Sequence, residues 1–328
     1  MGWKAALRSM EASARRAERE AIRHRRELER RQKEIEKMQE LQRAAYEVDV
    51  FNNEIAMLKT MHQDCGEPWK WLEVKNLPFP EKPEKSNQNE RAAQSNFDNY
   101  KPGFFDKLLK KTDKKIAALA DKVKKAKIED ESIYQNALEE FEKEKTEWLE
   151  YNQMATGILK GDREAYIKAI NTINPLREIT NIGSSIDLKI LDSTKGMVRL
   201  GVNSDEVIPN QTKSLLTSGK LSVKQMPKGE FNELYQDYVC SCVLRVAREI
   251  FALLPLEELI INALGNLLNT STGYVEEQPI LSVKIIRRTL NQLNFSMIDP
   301  SDSMRNFIHN MSFSRNSGFK AVTKLEIQ

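Results

Sequence analysis

No proline interrupts the chain from about Lys4 to Met61, and apolar residues recur there at three- and four-residue steps: Leu28, Ile35, Met38, Leu41, Ala45, Val48, Phe51, Ile55 and Leu58. That spacing draws one stripe along an α-helix. Before Leu28 the stripe thins to Leu7, Met10, Ala14, Ala17 and Ala21, which pack closely but bury little. A helix of roughly 60 residues, about 90 Å long, is predicted. Gly66 and Pro68 break it, and Trp69, Trp71 and Phe79 are expected to dock the connector as a cap on the helix tip. Pro78, Pro80, Pro83 and the polar run 84–96 predict an extended connector. A second stripe runs through Phe105, Leu109, Ile116, Leu119, Val123, Ala126, Ile133, Ala137, Phe141, Trp148, Tyr151, Ala155 and Ile158. It predicts a second long helix from about Phe104 to Leu159.

The period then changes. Asp162 can cap a short helix that Asn174-Pro175 ends. Ile186, Leu188 and Ile190 alternate with polar residues, as do Val198, Leu200 and Val202, which predicts a hairpin buried on one face. Short strands are expected at 207–208 and 221–223. Between Glu230 and Leu254 apolar residues cover well over half of a helical circumference, so that helix should be buried against more than one neighbour. Strands at 259–264 and 279–286 follow, and Asp299-Pro300-Ser301-Asp302 opens a last helix expected to reach about Asn310. The fold class is α+β: a long helical hairpin, then a compact layered domain. The expected segments are 1–63 (first helix), 64–103 (connector), 104–160 (second helix) and 161–328 (α+β domain).

Charge orients the helices. Both run from a basic half to a more acidic one, and in the second helix 107–127 is lysine-rich while 129–150 is acidic. Laid antiparallel, each basic half faces acid; laid parallel, like faces like. An antiparallel coiled coil is therefore expected, within one chain or between two. Exposed pairs are individually weak, so charge bears on register and orientation more than on stability.

The net charge of +3 is too small to imply a nucleic-acid partner for the whole chain. Locally, Arg15, Arg16, Arg19, Arg23 and Arg26, with Lys110, Lys111, Lys114 and Lys115, could follow a phosphate backbone. Glutamates interleaved with the arginines, and few aromatics beside them, favour solvated coiled-coil faces instead. No export signal, lipidation motif or membrane-length apolar run is found in the sequence, so a soluble, cytoplasmic protein is expected. Cys65, Cys240 and Cys242 suit reduced thiols, and the two-residue spacing of the last two, on a helix, prevents them from chelating one metal.

Candidate chemistry is sparse. His24, His62 and His309 have no ligand spacing, Ser218-Gly219-Lys220 lacks the rest of a phosphate loop, and no GxSxG elbow occurs. No cofactor or resident metal is expected. The one catalytic pattern is Asp187-Leu188-Lys189, whose D-x-K spacing fits a PD-(D/E)xK nuclease, with Asp187 helping to hold Mg²⁺ and Lys189 positioning water. Glu178, and Glu233 or Glu249, could supply further acids. Arg245, Arg248 and Glu249 interrupt the buried helix and need partners; a salt bridge is the simple answer, and an anion held by Arg245 and Arg248 the functional one. The stretches 235–251 and 299–302 resemble those of an uncharacterised bacterial protein family, in which a charged coiled coil precedes a similar domain. The resemblance implies a bacterial cytosolic source and attaches no activity. A non-enzymatic scaffold with a protein partner or self-association is thus the leading expectation, and a nucleic-acid-binding protein or nuclease the alternative.

Overall fold

A computed structural model describes residues 27, 30–32, 40–103, 111–177, 185–202 and 205–325. The fold is α+β, with a long helix and a sheet domain. The chain divides into two compact units, 75–153 forming the body of one, and 6–74 with 154–328 the other. The basic residues Arg15, Arg16, Arg19, Arg23, Arg26 and Lys110, the acid Glu178, and most of the first helix's basic half lie outside the described residues.

In the larger unit, α1 (Glu40–Thr60) is the described part of the first helix and α2 (Trp71–Lys75) follows the Gly66–Pro68 break. In the other, α3 (Gln88–Asp98) precedes α4 (Thr112–Leu159), whose residues from Met154 on belong to the larger unit. α3 corrects the expectation of an extended connector. Its sequence is polar enough to read as a loop, but Asp130 of α4 accepts hydrogen bonds from Asn89 N (3.3 Å) and Glu90 N (2.8 Å). An acid from a neighbouring helix thus satisfies the first-turn donors that no local cap serves. Lys85 pairs with Glu131 at 2.5 Å beside it. Farther along α4, Phe79 meets Trp148 edge-on at 5.1 Å, and the indole Nε1 of Trp148 donates to Leu77 O (3.1 Å). The apolar seam of α4 is thus partly covered by its own connector.

The domain continues with α5 (Arg163–Ile173), β1 (Ser185–Ile190), β2 (Lys195–Gly201), β3 (Gln211–Leu215), β4 (Leu221–Gln225) and α6 (Lys228–Leu253). Then come β5 (Glu258–Leu268), β6 (Val275–Ile286), α7 (Arg287–Leu290), α8 (Pro300–Ser303), β7 (Ile308–Ser314) and β8 (Gly318–Lys320). Asp162 caps α5 by accepting from Glu164 N, and Asn174 ends it in the left-handed region at φ 47°. β1, β2, β5, β6, β7 and β8 form one sheet in that order, with only the β2–β5 pair parallel, while β3 and β4 pair separately. Two readings of the tail are corrected. The helix expected through Asn310 is one α-turn continued by a 3-10 turn, Met304–Asn306, and 308–314 joins β6 as a strand whose alternation is too polar to stand out. The strand expected at 207–208 is instead a short 3-10 turn at Asp205–Val207.

α6 lies on one face of the sheet: Tyr235 meets Phe319 edge-on at 5.7 Å, and Val198, Leu200, Leu259, Ile261, Leu281 and Val283 are buried beneath it. α1 packs on α6 and on the β3–β4 hairpin, burying Ala44, Val50 and Phe51, with Lys213 bound to Glu47 at 3.2 Å. Over Glu40–Thr60 the partner of the first stripe is therefore the sheet domain.

Candidate functional site

The densest group of buried polar side chains in the described residues lies where the end of α1 meets α6. Helical spacing puts Asp237, Ser241, Arg245, Arg248 and Glu249 along the side of α6 facing residues 59–66. Arg245 Nε donates to Glu249 Oε1 at 2.8 Å, one helical turn away, with both side chains 7% exposed. Its Nη1 donates to Met61 O at 3.3 Å, with Asp64 at 3.8 Å. Arg248 Nη1 donates to His62 O and, at 2.8 Å, to Gln63 O, while its guanidinium lies 4.1 Å from the centre of the Phe295 ring. Carbonyls at the end of a helix lack internal partners and carry partial negative charge, so two cations suit that place. Ser241 Oγ accepts from His62 N at 3.0 Å and contacts its Nδ1 at 2.9 Å.

The electrostatics are those of a sealed joint. Burial raises the Glu249 carboxyl above its ordinary range, and Arg245 pulls against that. Burial and then the nearby Asp299 raise Asp237, which Lys59 reaches at 3.6 Å. Asp299 itself is held low: hydrogen bonds from Asp302 N and Ser301 outweigh its burial. Burial, followed by the charge of Glu249, pushes the Cys65 thiol up to about 12, so it is a poor nucleophile at neutral pH.

His62 is held below its usual 6.5, first by burial and then by Arg248. The unfolded chain therefore takes up this proton at a higher pH than the folded one. Stability from His62 is complete above 6.5 and is lost as pH falls from 6.5 through the depressed folded value. Denaturation of the wild type and of His62→Gln should diverge across that window, with the wild type falling more steeply. Parallel curves would remove His62 from the acid response. The comparison is made by difference because raised Asp237 and Glu249 act with the opposite sign.

The C-terminal end of α6, one turn beyond Glu249, is closed by different means. Ile250 O accepts from Leu254 N, Phe251 O from Arg287 Nη1 (2.9 Å), Ala252 O from Trp69 N (2.7 Å) and Leu253 O from Trp71 Nε1 (2.6 Å). Every carbonyl of the last turn thus has a donor. Trp69 and Trp71 do dock, but on the end of α6 rather than as a cap on the tip of the first helix, and Phe79 packs on Trp148 of α4 instead. Arg287, which closes the same turn from α7, carries no sequence signal.

Asp187 and Lys189 lie on the sheet face opposite α6, both exposed on edge strand β1. Asp187 sits opposite Arg199, which pairs with Glu277, and the same rung continues through Asn262, Ser282 and Asn310. Ser282 Oγ donates to Asn262 Oδ1 at 2.7 Å and accepts from Leu325 N at 2.9 Å. Of the acids expected to join Asp187, Glu233 pairs with Arg315 at 3.2 Å and Glu249 with Arg245, while Glu178 lies outside the described residues. Among the described residues no three His, Cys, Asp or Glu side chains are placed to hold a metal ion. Of the lysines expected to follow phosphates, Lys111, Lys114 and Lys115 are exposed at the start of α4.

Comparison with protein-family models, curated proteins and solved structures found no match. The geometry alone carries the functional reading. No helix among the described residues is long and apolar enough to cross a membrane.

Proposed function

We propose that the protein is a non-enzymatic scaffold of the cytoplasm, whose helical half engages a protein partner and whose C-terminal domain docks or recognises. One observation carries this reading. The 48-residue helix α4 turns Ile116, Ile128, Ile133 and Leu149 to solvent, Ile128 being 69% exposed, although its connector already occupies another side. Large apolar side chains set among charges along so long a helix suit a protein surface. The polar cluster on α6 supports it from the other direction, because its cations are directed at protein carbonyls and at Glu249. The test is sedimentation of the native protein in extract of the cells that make it. A species heavier than one chain is expected, and a lone monomer would overturn the reading.

Nucleic-acid binding is a second reading, favoured by the exposure of Lys111, Lys114, Lys122, Lys124 and Lys127 along α4. It requires binding to DNA or RNA that weakens steeply with salt. Asp187 and Lys189 enter it as catalysts only if Mg²⁺-dependent cleavage is seen and is lost in Asp187→Ala.

A further inference from the structure

We infer that the partner of α4 is a second copy of this chain, laid antiparallel across the helix face that carries Ile116, Ile128 and Leu149. The inference rests on the scaffold reading and names its partner. Three- and four-residue steps place Ile116, Lys124, Ile128, Leu138, Glu142 and Leu149 on one broad side of α4. Ile116, Ile128 and Leu149 are 39%, 69% and 41% exposed, and Leu138 is half-buried. The side holding Phe141 and Trp148 is occupied by Phe79.

Charge selects the occupant. The segment 114–127 is dominated by lysine and 129–150 by aspartate and glutamate, so α4 is complementary to its own reverse. Within a single helix this order places lysine at the positive N-terminal end and acid near the negative C-terminal end, against the macrodipole, so intrinsic helix stability does not account for it. A two-fold axis across the middle of α4 does, because each basic half then meets the acidic half of the other copy. One register satisfies the apolar and charged positions together. Ile128 faces the second copy's Leu138 and Lys124 faces its Glu142, and in the same register Ile116 lies one residue from the position that faces its Leu149. Glu142 already holds Lys145 at 2.9 Å, so the incoming lysine extends that pair into a short network across the interface. A parallel second copy would instead set lysine against lysine along the first half.

Disulfide trapping in the purified full-length chain tests this. Ile116 and Leu149 stand roughly 50 Å apart along α4 at about 1.5 Å per residue. An Ile116→Cys copy can therefore reach a Leu149→Cys copy only in the antiparallel arrangement. Oxidation of the two variants mixed should give a cross-linked dimer that neither gives alone, with the wild-type chain as the control for its own thiols. Ile128→Lys with Leu149→Lys, both at exposed positions, should return the protein to the mass of one chain. Cross-linking of Ile116→Cys with itself would overturn the antiparallel arrangement. A pure monomer with no trapping in the mixture would overturn the second copy as partner. If a heavier species nevertheless persists in extract, the scaffold reading stands and its partner is a different protein.

Discussion

Replacing Arg245 by methionine should lower folding stability by about 3–5 kcal/mol, the range for removing one member of a buried ion pair. Both Arg245 and Glu249 are 7% exposed, so solvent screening gives little relief. The two single replacements should differ in their pH response. Without Arg245, the Glu249 carboxyl, already raised by burial, rises further and can take up a proton. The loss in Arg245→Met should therefore shrink as pH falls towards 5, because a raised carboxyl gives its stability at low pH and forfeits it as pH rises. Glu249→Leu leaves a guanidinium that cannot neutralise, so its loss should stay nearly flat with pH. The double variant should recover much of the loss. Urea denaturation of the three variants from pH 5 to 8 checks this, and equal pH responses in the two singles would show that the pair does not carry the charge balance of the joint.

Trp71→Ala should destabilise the protein by about 3–5 kcal/mol, the usual range for truncating a buried tryptophan. Trp71 is 5% exposed, stacks on Trp69 at 5.1 Å and donates to Leu253 O. Trp71→Phe keeps most of the packing and loses that hydrogen bond, so it should cost about 1–3 kcal/mol for the carbonyl left unsatisfied. Equal losses in the two variants, measured by chemical denaturation, would mean that packing alone holds the segment and that capping of α6 adds nothing.

The second stripe over Thr112–Leu159, the part of the first that lies in Glu40–Thr60, the one-faced β1–β2 hairpin and the boundaries of α6 could be read from the residues because each rests on a strong period, with Pro255 as the local stop of α6. What escaped depends on distant partners. α3 owes its first turn to Asp130, some forty positions away, and β7 is a strand because β6 offers it an edge. The first stripe was legible as a stripe, but its partner over Glu40–Thr60 is α6 and the β3–β4 hairpin, which no spacing announces. At the joint, Arg245, Arg248 and Glu249 drew notice as charges on a buried helix, and the partners that explain them are mostly main-chain carbonyls, invisible to composition. His62 showed no ligand spacing, and its importance comes from packing against Ser241. Asp187 and Lys189 show the reverse: the pattern is present, yet Glu233 and Glu249 pair with arginines elsewhere.

The scaffold reading is tested most directly by the native mass of the full-length chain in extract, measured by sedimentation for the wild type and for the Ile128→Lys, Leu149→Lys variant. The account predicts a wild-type species heavier than one chain, which shrinks when the exposed face of α4 is charged while the α+β domain unfolds at the same urea concentration as before. A wild-type protein that sediments as a single chain, or a heavy species indifferent to those two substitutions, would contradict it.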